Sequence, residues 1–167
     1  MRRMVTGLVV FALVLAGAGV SIRLYMDRAA ENALRPGEDV AIPDLRDPIP
    51  GNAFLVCPPN YCQASAAPSP VFAVTPAQLA EAMRRLIAEQ PNVFFVNAGL
   101  VAPRFTLIQH TPLLRFPDIV TVEYVALGPD RSSLAIYSRA RYGKGDFGTN
   151  RRRVLAWLDR LRQLVGQ

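Results

Sequence analysis

Nineteen consecutive residues, Met4 to Ile22, carry no charge, with Met1-Arg2-Arg3 before them and Arg23 after. In a helix rising about 1.5 Å per residue such a run reaches roughly 28 Å, close to the ~30 Å hydrocarbon core of a bilayer. A single membrane-spanning anchor is the expectation. The same run also reads as a signal peptide: Ala16-Gly17-Ala18 supplies the small residues a signal peptidase accepts, with Val5 to Leu15 as the apolar region. Apolar character continues through Val20 and Ile22, which favours the anchor. In both cases Arg2, Arg3 and the amino terminus outweigh the mixed Arg23, Asp27, Arg28 and Glu31 on the far side, so the positive-inside rule keeps the N-terminus cytoplasmic. The expected location is a bacterial inner membrane, crossed once through residues 4–22, with the domain on the periplasmic side. Cleavage would instead leave a secreted protein.

The 167 residues allow one domain plus appendages. Residues 1–23 form the anchor or signal segment. Residues 24–53 interleave Pro36, Pro43, Pro48 and Pro50 with acidic residues and isolated arginines. Proline at that density breaks helix and ladder alike, which predicts a tether or an extended segment lying on the domain. Residues 54–167 form the domain, and no internal repeat is visible.

Within it, Thr75-Pro76-Ala77-Gln78 reads as a capping box with proline at the first helical position. That helix runs to about Gln90, with Leu79, Met83, Leu86 and Ile87 as its apolar stripe. Val71 to Val74 is a candidate short strand. Strands follow over Asn92 to Ala98, Arg104 to Thr111 and Ile119 to Leu127, the last with Val120, Val122, Tyr124 and Ala126 on its apolar face. Gly128-Pro129-Asp130 turns into a fourth strand with Leu134, Ile136, Ala140 and Tyr142 on one face and Ser133, Tyr137, Arg139 and Arg141 on the other, wetter one. Burying both apolar sets demands that paired residue numbers add to an even value. A three-residue loop then sets Val122 against Ser138 and Tyr124 against Ile136, with Glu123 diagonal to Arg139. The fold class is α+β: an antiparallel sheet of about four strands with an N-terminal and a C-terminal helix packed on one face, preceded by the single apolar helix.

Cys57 and Cys62 are the only cysteines, and His110 is the only histidine. A tetrahedral Cys and His metal set therefore cannot be completed within one molecule. Four intervening residues do not match a two-residue redox motif. A structural disulfide in an oxidising compartment and two free thiols remain as readings.

The unusual chemistry lies between Tyr137 and Val154. Gly143, Gly145 and Gly148 interrupt both periodicities and suit a tight strand-to-helix turn. Thr149 or Asn150 can cap the following helix, whose apolar positions are Val154, Leu158, Leu161 and Val165. Yet Arg151, Arg152 and Arg153 occupy its first turn, where free N–H groups and the helix dipole are already positive. Either these arginines are solvated or paired with Asp146 and Asp118, or an outside anion sits among them. The candidate anion site is the backbone from Gly143 through Gly145 to Gly148 with Arg151 and Arg152, and with Arg141 or Lys144 at its rim.

The run SRARYGKGDFGTNRRRVLAWLDRL resembles the C-terminal signature of the bacterial and plastid family called domain of unknown function 1499. LLRFPDIVTVEY and VCPPNYC are similar to two further stretches of that family. Two positions depart from its pattern: Tyr61 separates Asn60 from Cys62, and Lys144 stands where a small or polar residue is common. The resemblance implies a shared fold and no activity.

The chain holds no Gly-x-Ser-x-Gly elbow, no metal-ligand motif, and no phosphate-cradling loop followed by Lys-Ser or Lys-Thr. No catalytic residue, metal or cofactor is expected, although a hydrolase-like envelope enzyme using His110 is an alternative. The anchor argues against nucleic acid despite a net charge of +6. After Leu100 eleven basic side chains stand against five acidic ones, an excess suited to anionic lipid or envelope polymers. The expectation is a membrane-tethered, non-catalytic binding or scaffolding module, the other alternative being a purely structural envelope protein.

Overall fold

The computed structural model describes residues 2–28, 34–95 and 103–166. The first element, α1 (Arg2–Arg28), is a single helix. Its stretch Thr6–Tyr25 has a mean hydropathy of 2.1 and none of it is buried. By length and composition α1 can cross a membrane, and a membrane anchor and a signal sequence both meet that criterion.

The sheet is built from β1 (Ala53–Cys57), β2 (Ala67–Pro68), β3 (Val93–Phe95), β4 (Arg104–His110), β5 (Pro117–Gly128) and β6 (Arg131–Ala140). Their order across the sheet is β2-β1-β6-β5-β4-β3. β3 to β6 form the expected meander of four antiparallel strands. β1 extends it antiparallel beside β6, and the two-residue β2 pairs parallel with β1. The candidate strand at Val71 to Val74 reduces to one bridge between Phe72 and Ser132. The expected remainder of β3 beyond Phe95, and Gly99 after it, lie outside the described residues.

Both helices, α2 (Pro76–Ala88) and α3 (Thr149–Leu164), pack on the same face. α2 begins where its capping box predicts: Gln78 N donates to Thr75 Oγ1 at 3.2 Å and Thr75 N donates to Gln78 Oε1 at 2.9 Å. Leu79, Met83, Leu86 and Ile87 of α2 and Val154, Trp157, Leu158 and Leu161 of α3 meet Phe105, Leu107, Val120, Val122, Leu134 and Ile136 of the sheet. Trp157 Nε1 donates to Gln90 Oε1 at 3.2 Å, so the indole reaches a partner at the edge of this core.

The β5–β6 register keeps the expected parity but is displaced by two positions along β6: Val122 opposes Ile136 and Tyr124 opposes Leu134. The turn is only Pro129 and Asp130, with Arg131 paired to Gly128, which shifts the register by one position, and an irregularity between Ala126 and Gly128 shifts it by one more. The expected Glu123–Arg139 pair does not form, because Arg139 lies opposite Ile119 and Glu123 opposite Ala135.

The second face of the sheet is not wet. Ser133, Ala135 and Tyr137 are buried there. The Pro-rich segment and the chain after β1 cover them, Ile42 and Ala64 packing with Leu55 and Cys57 of β1 in a second apolar cluster. Glu123 holds this layer in place, accepting from Ile42 N at 3.0 Å and from the Tyr61 hydroxyl at 2.7 Å. Burial, then the bond to Glu123, pushes the Tyr61 hydroxyl above its ordinary value, so it stays a donor. Sequence periodicity misses this layer because a Pro-rich extended segment has none.

Ile42 is fully buried. Ile42→Ala leaves its N–H donor intact and removes only packing, so chemical denaturation of the full chain in detergent is expected to show a loss of about 2–5 kcal/mol. A loss below about 0.5 kcal/mol would mean that the second layer lies on the sheet without stabilising it.

Candidate functional site

After Ala140 the chain turns across the end of the sheet, and the Asn52 side chain holds it there. Asn52 Nδ2 donates to Gly143 O at 2.7 Å and to Ala140 O at 3.3 Å. Gly143 and Gly148 have φ of +84° and +75°, the left-handed region where a side chain is strained. A Cβ at Gly148 would also meet Arg152 Nη1 at 3.2 Å.

Gly148 is the N-cap of α3 and offers no side-chain acceptor, in place of the expected Thr149 or Asn150. Asp146 takes that role. Its Oδ1 accepts from Gly148 N at 2.9 Å, and its Oδ2 from Asn150 N at 2.7 Å and Asn150 Nδ2 at 2.8 Å. Burial works against ionisation of Asp146, but these donors outweigh it and hold its carboxyl below the usual range.

Asn150 is fully buried inside the first turn of α3. Its Nδ2 also donates to Asn52 O at 3.0 Å, while its Oδ1 accepts from Ser138 Oγ at 2.6 Å and Arg153 Nη1 at 2.5 Å. Arg153 completes the network with a 2.5 Å ion pair to Asp118, both side chains less than a tenth exposed. Burial pushes the Asp118 carboxyl up, and the Arg153 guanidinium offsets only part of that.

The three arginines thus diverge. Arg153 turns inward to Asp118. Arg152 folds back on the turn, its Nη1 donating to Phe147 O at 2.7 Å and its Nη2 to Thr149 Oγ1 at 3.3 Å. Arg151 lies over the Phe54 ring, 5.8 Å from its centroid. Among the described residues no carboxylate lies within ion-pair distance of Arg151, Arg152 or Lys144.

Arg141 does not join them. Its side chain points to the second face, where Glu38 accepts from Nε at 2.8 Å and Nη2 at 2.7 Å. Burial opposes ionisation of Glu38, but the Arg141 guanidinium and the Arg35 N–H prevail and lower its pKa. Arg139 also turns to this face, donating to Glu38 O and lying 5.1 Å over the Tyr137 ring.

Between the turn and the β4–β5 loop lies a cleft of about 360 Å³. Leu114, Phe116, Tyr142 and Phe147 supply its apolar walls, with Asp118, Asp146 and Thr149 among the polar lining. Phe147 is 97 % exposed and holds φ of +52°, a backbone conformation uncommon for an aromatic residue. Sequence reasoning did not single out the cleft, since its walls come from segments some thirty residues apart.

His110 is buried at the end of β4, edge-on to Phe94 with ring centroids 5.1 Å apart. It pairs across the sheet with Pro117, on the face opposite to Asp118, and does not line the cleft. Cys57 and Cys62 are joined by a disulfide. Among the described residues no group of three or more His, Cys, Asp or Glu could hold a metal ion.

The arrangement is that of an α+β domain behind an apolar helix, with a polar network fastening the last helix to the sheet. The chain belongs to the family described as "Protein of unknown function (DUF1499)", which matches residues 48–161. No curated protein matches the chain significantly. Among solved structures it is similar to a conserved protein of unknown function from Enterococcus faecalis, at 15 % identity and a TM-score of 0.35, over 59 % of this chain and 68 % of that one. A likeness at that level carries no argument about function.

Two measurements test the network. Asp146 has a folded pKa below its unfolded value of about 3.9. Its contribution is therefore fully present above that value and is lost as pH falls through the lower folded one. Asp118, raised, has the opposite sign: its part of the stability declines as pH rises toward its folded pKa. Asp146→Ala is expected to lose about 0.5–2 kcal/mol at neutral pH and to flatten the acid limb of the stability curve. Arg153→Met leaves Asp118 buried without its cation and is expected to lose about 3–5 kcal/mol, recovered in part by adding Asp118→Leu. Additive losses in that double variant would show that the two side chains do not act as a pair.

Proposed function

We propose that the chain is a membrane-tethered, non-catalytic binding module of the cell envelope, and that its working end is the Gly143–Gly148 turn with the adjoining cleft. One observation carries this reading. The fold commits its local carboxylates internally, Asp146 to the helix N-terminus, Asp118 to Arg153 and Glu38 to Arg141, yet keeps Lys144, Arg151 and Arg152 exposed at the same end without acidic partners.

The ligand chemistry that suits these groups is an anion of the phosphate, sulfate or carboxylate type. A guanidinium supplies paired N–H donors to such a group, and an ammonium supplies a point charge. Because Asp146 already occupies the Gly148 and Asn150 N–H groups, the side chains rather than those amides carry the binding. Arg141 is withdrawn by Glu38 and serves to hold the Pro-rich segment. Placement on the periplasmic side of an inner membrane is supported by Arg2 and Arg3 at the start of α1, ahead of its apolar stretch, and by a disulfide that persists in oxidising compartments.

Thermal melting of the full chain in an uncharged detergent tests the reading against phosphate, sulfate, glycerophosphate headgroups and envelope-polymer fragments. A ligand at a hundred times its dissociation constant adds about 2.7 kcal/mol. The expected result is a saturable upward shift with at least one of these anions, reduced in Lys144→Ala and Arg151→Ala, whose side chains donate no hydrogen bond within the turn. Melting curves that no anion moves would sink the anion site.

A further inference from the structure

The turn and the β4–β5 loop together present an unusual tip. Phe147 is 97 % and Leu113 75 % exposed, with Phe116 and Tyr142 more than a third exposed beside them. Lys144 and Arg152 flank this apolar surface, and both are exposed. Apolar side chains flanked by cations form the pattern that seats a protein in the headgroup layer of an anionic membrane.

The path of the chain supplies a second, independent reason. α1 ends at Arg28, and seven residues later Arg35 is fixed against this same tip. Arg35 Nη2 donates to the Tyr142 hydroxyl at 2.5 Å, and its guanidinium lies 5.2 Å over the Tyr142 ring. Seven residues span at most about 25 Å in any conformation. When α1 crosses a bilayer, the Arg35 backbone cannot stand farther than that from the end of α1, and the Tyr142 hydroxyl lies one arginine side chain beyond it. Leu127, ten residues along β5 from Pro117, is roughly 33 Å away at the other end of the sheet.

We infer that the tip bearing Phe147 and Leu113 docks on the anionic lipid surface of the bilayer that α1 crosses. Phe147 and Leu113 enter the interface, and Lys144 and Arg152 meet lipid phosphates. The inference rests on α1 remaining uncut and on the anion-binding reading of this end. It deepens that reading by naming the source of the anion.

The test uses the full chain reconstituted into vesicles whose lipid chains are brominated and quench indole fluorescence on contact. The native Trp157 is buried and gives a constant background. Phe147→Trp adds an indole at the tip and Leu127→Trp one at the opposite end, neither replacing a buried side chain. In phosphatidylglycerol vesicles the emission added by Phe147→Trp is expected to be largely lost and that added by Leu127→Trp retained. Adding Lys144→Glu is expected to restore part of the lost emission. Equal quenching at both positions, or at neither, overturns the docking and leaves the tip to a protein or soluble ligand. Selective quenching of Phe147→Trp that is the same in phosphatidylcholine and phosphatidylglycerol supports the docking and overturns the anion reading alone.

Discussion

A single buried amide, Asn150, joins four parts of the molecule. Its nitrogen donates to Asn52 O just before β1 and to the Asp146 carboxylate in the turn, while its oxygen accepts from Ser138 on β6 and Arg153 on α3. All of these partners approach a side chain with no exposed surface, so each unmade bond would strand a buried polar group. The geometry therefore requires the sheet end, the turn and the last helix to be placed together. Arg153 extends the requirement to β5 through Asp118.

The same demand explains a sequence that is locally unfavourable. Three arginines in a first helical turn oppose the helix dipole, and taken alone they weaken the helix. The structure resolves that conflict residue by residue: Asp146 compensates the N-terminus, Asp118 compensates Arg153, and Arg151 and Arg152 remain as cations that the fold itself does not neutralise. Local rules tend to fail where function or a specific network overrides them. Here one arginine of the three serves the network, while Arg152 folds back on the turn and Arg151 lies over the Phe54 ring.

Much of the helix-side architecture was legible because it rests on periodicity. Alternation placed Val120, Val122 and Tyr124 with Leu134 and Ile136 on one face, and the Thr75–Gln78 box marked the start of α2. Parity of register followed from the same alternation, but its value did not, since an irregularity at the end of β5 is invisible to a count of loop residues. Of the second layer, the sequence suggested only that an extended segment could lie on the domain, and its contacts were illegible for a different reason. Ile42, Tyr61 and Glu123 are brought together by an extended segment with no repeating pattern, and AFLVC gives no sign of which strand it will join. At the candidate site the glycines and arginines were visible as unusual residues, whereas their directions were not. Arg141 and Arg153 are committed to Glu38 and Asp118 by partners more than thirty residues away.

The clamp formed by Glu38 and Ile42 also determines how the domain bears load. These residues follow the apolar helix closely, and they are fixed to Arg141 and Glu123, at the end of β6 and in the middle of β5, the two central strands of the sheet. When α1 is held in a membrane, tension arriving from it enters at the two central strands, each paired on both sides, and not at a free edge of the sheet.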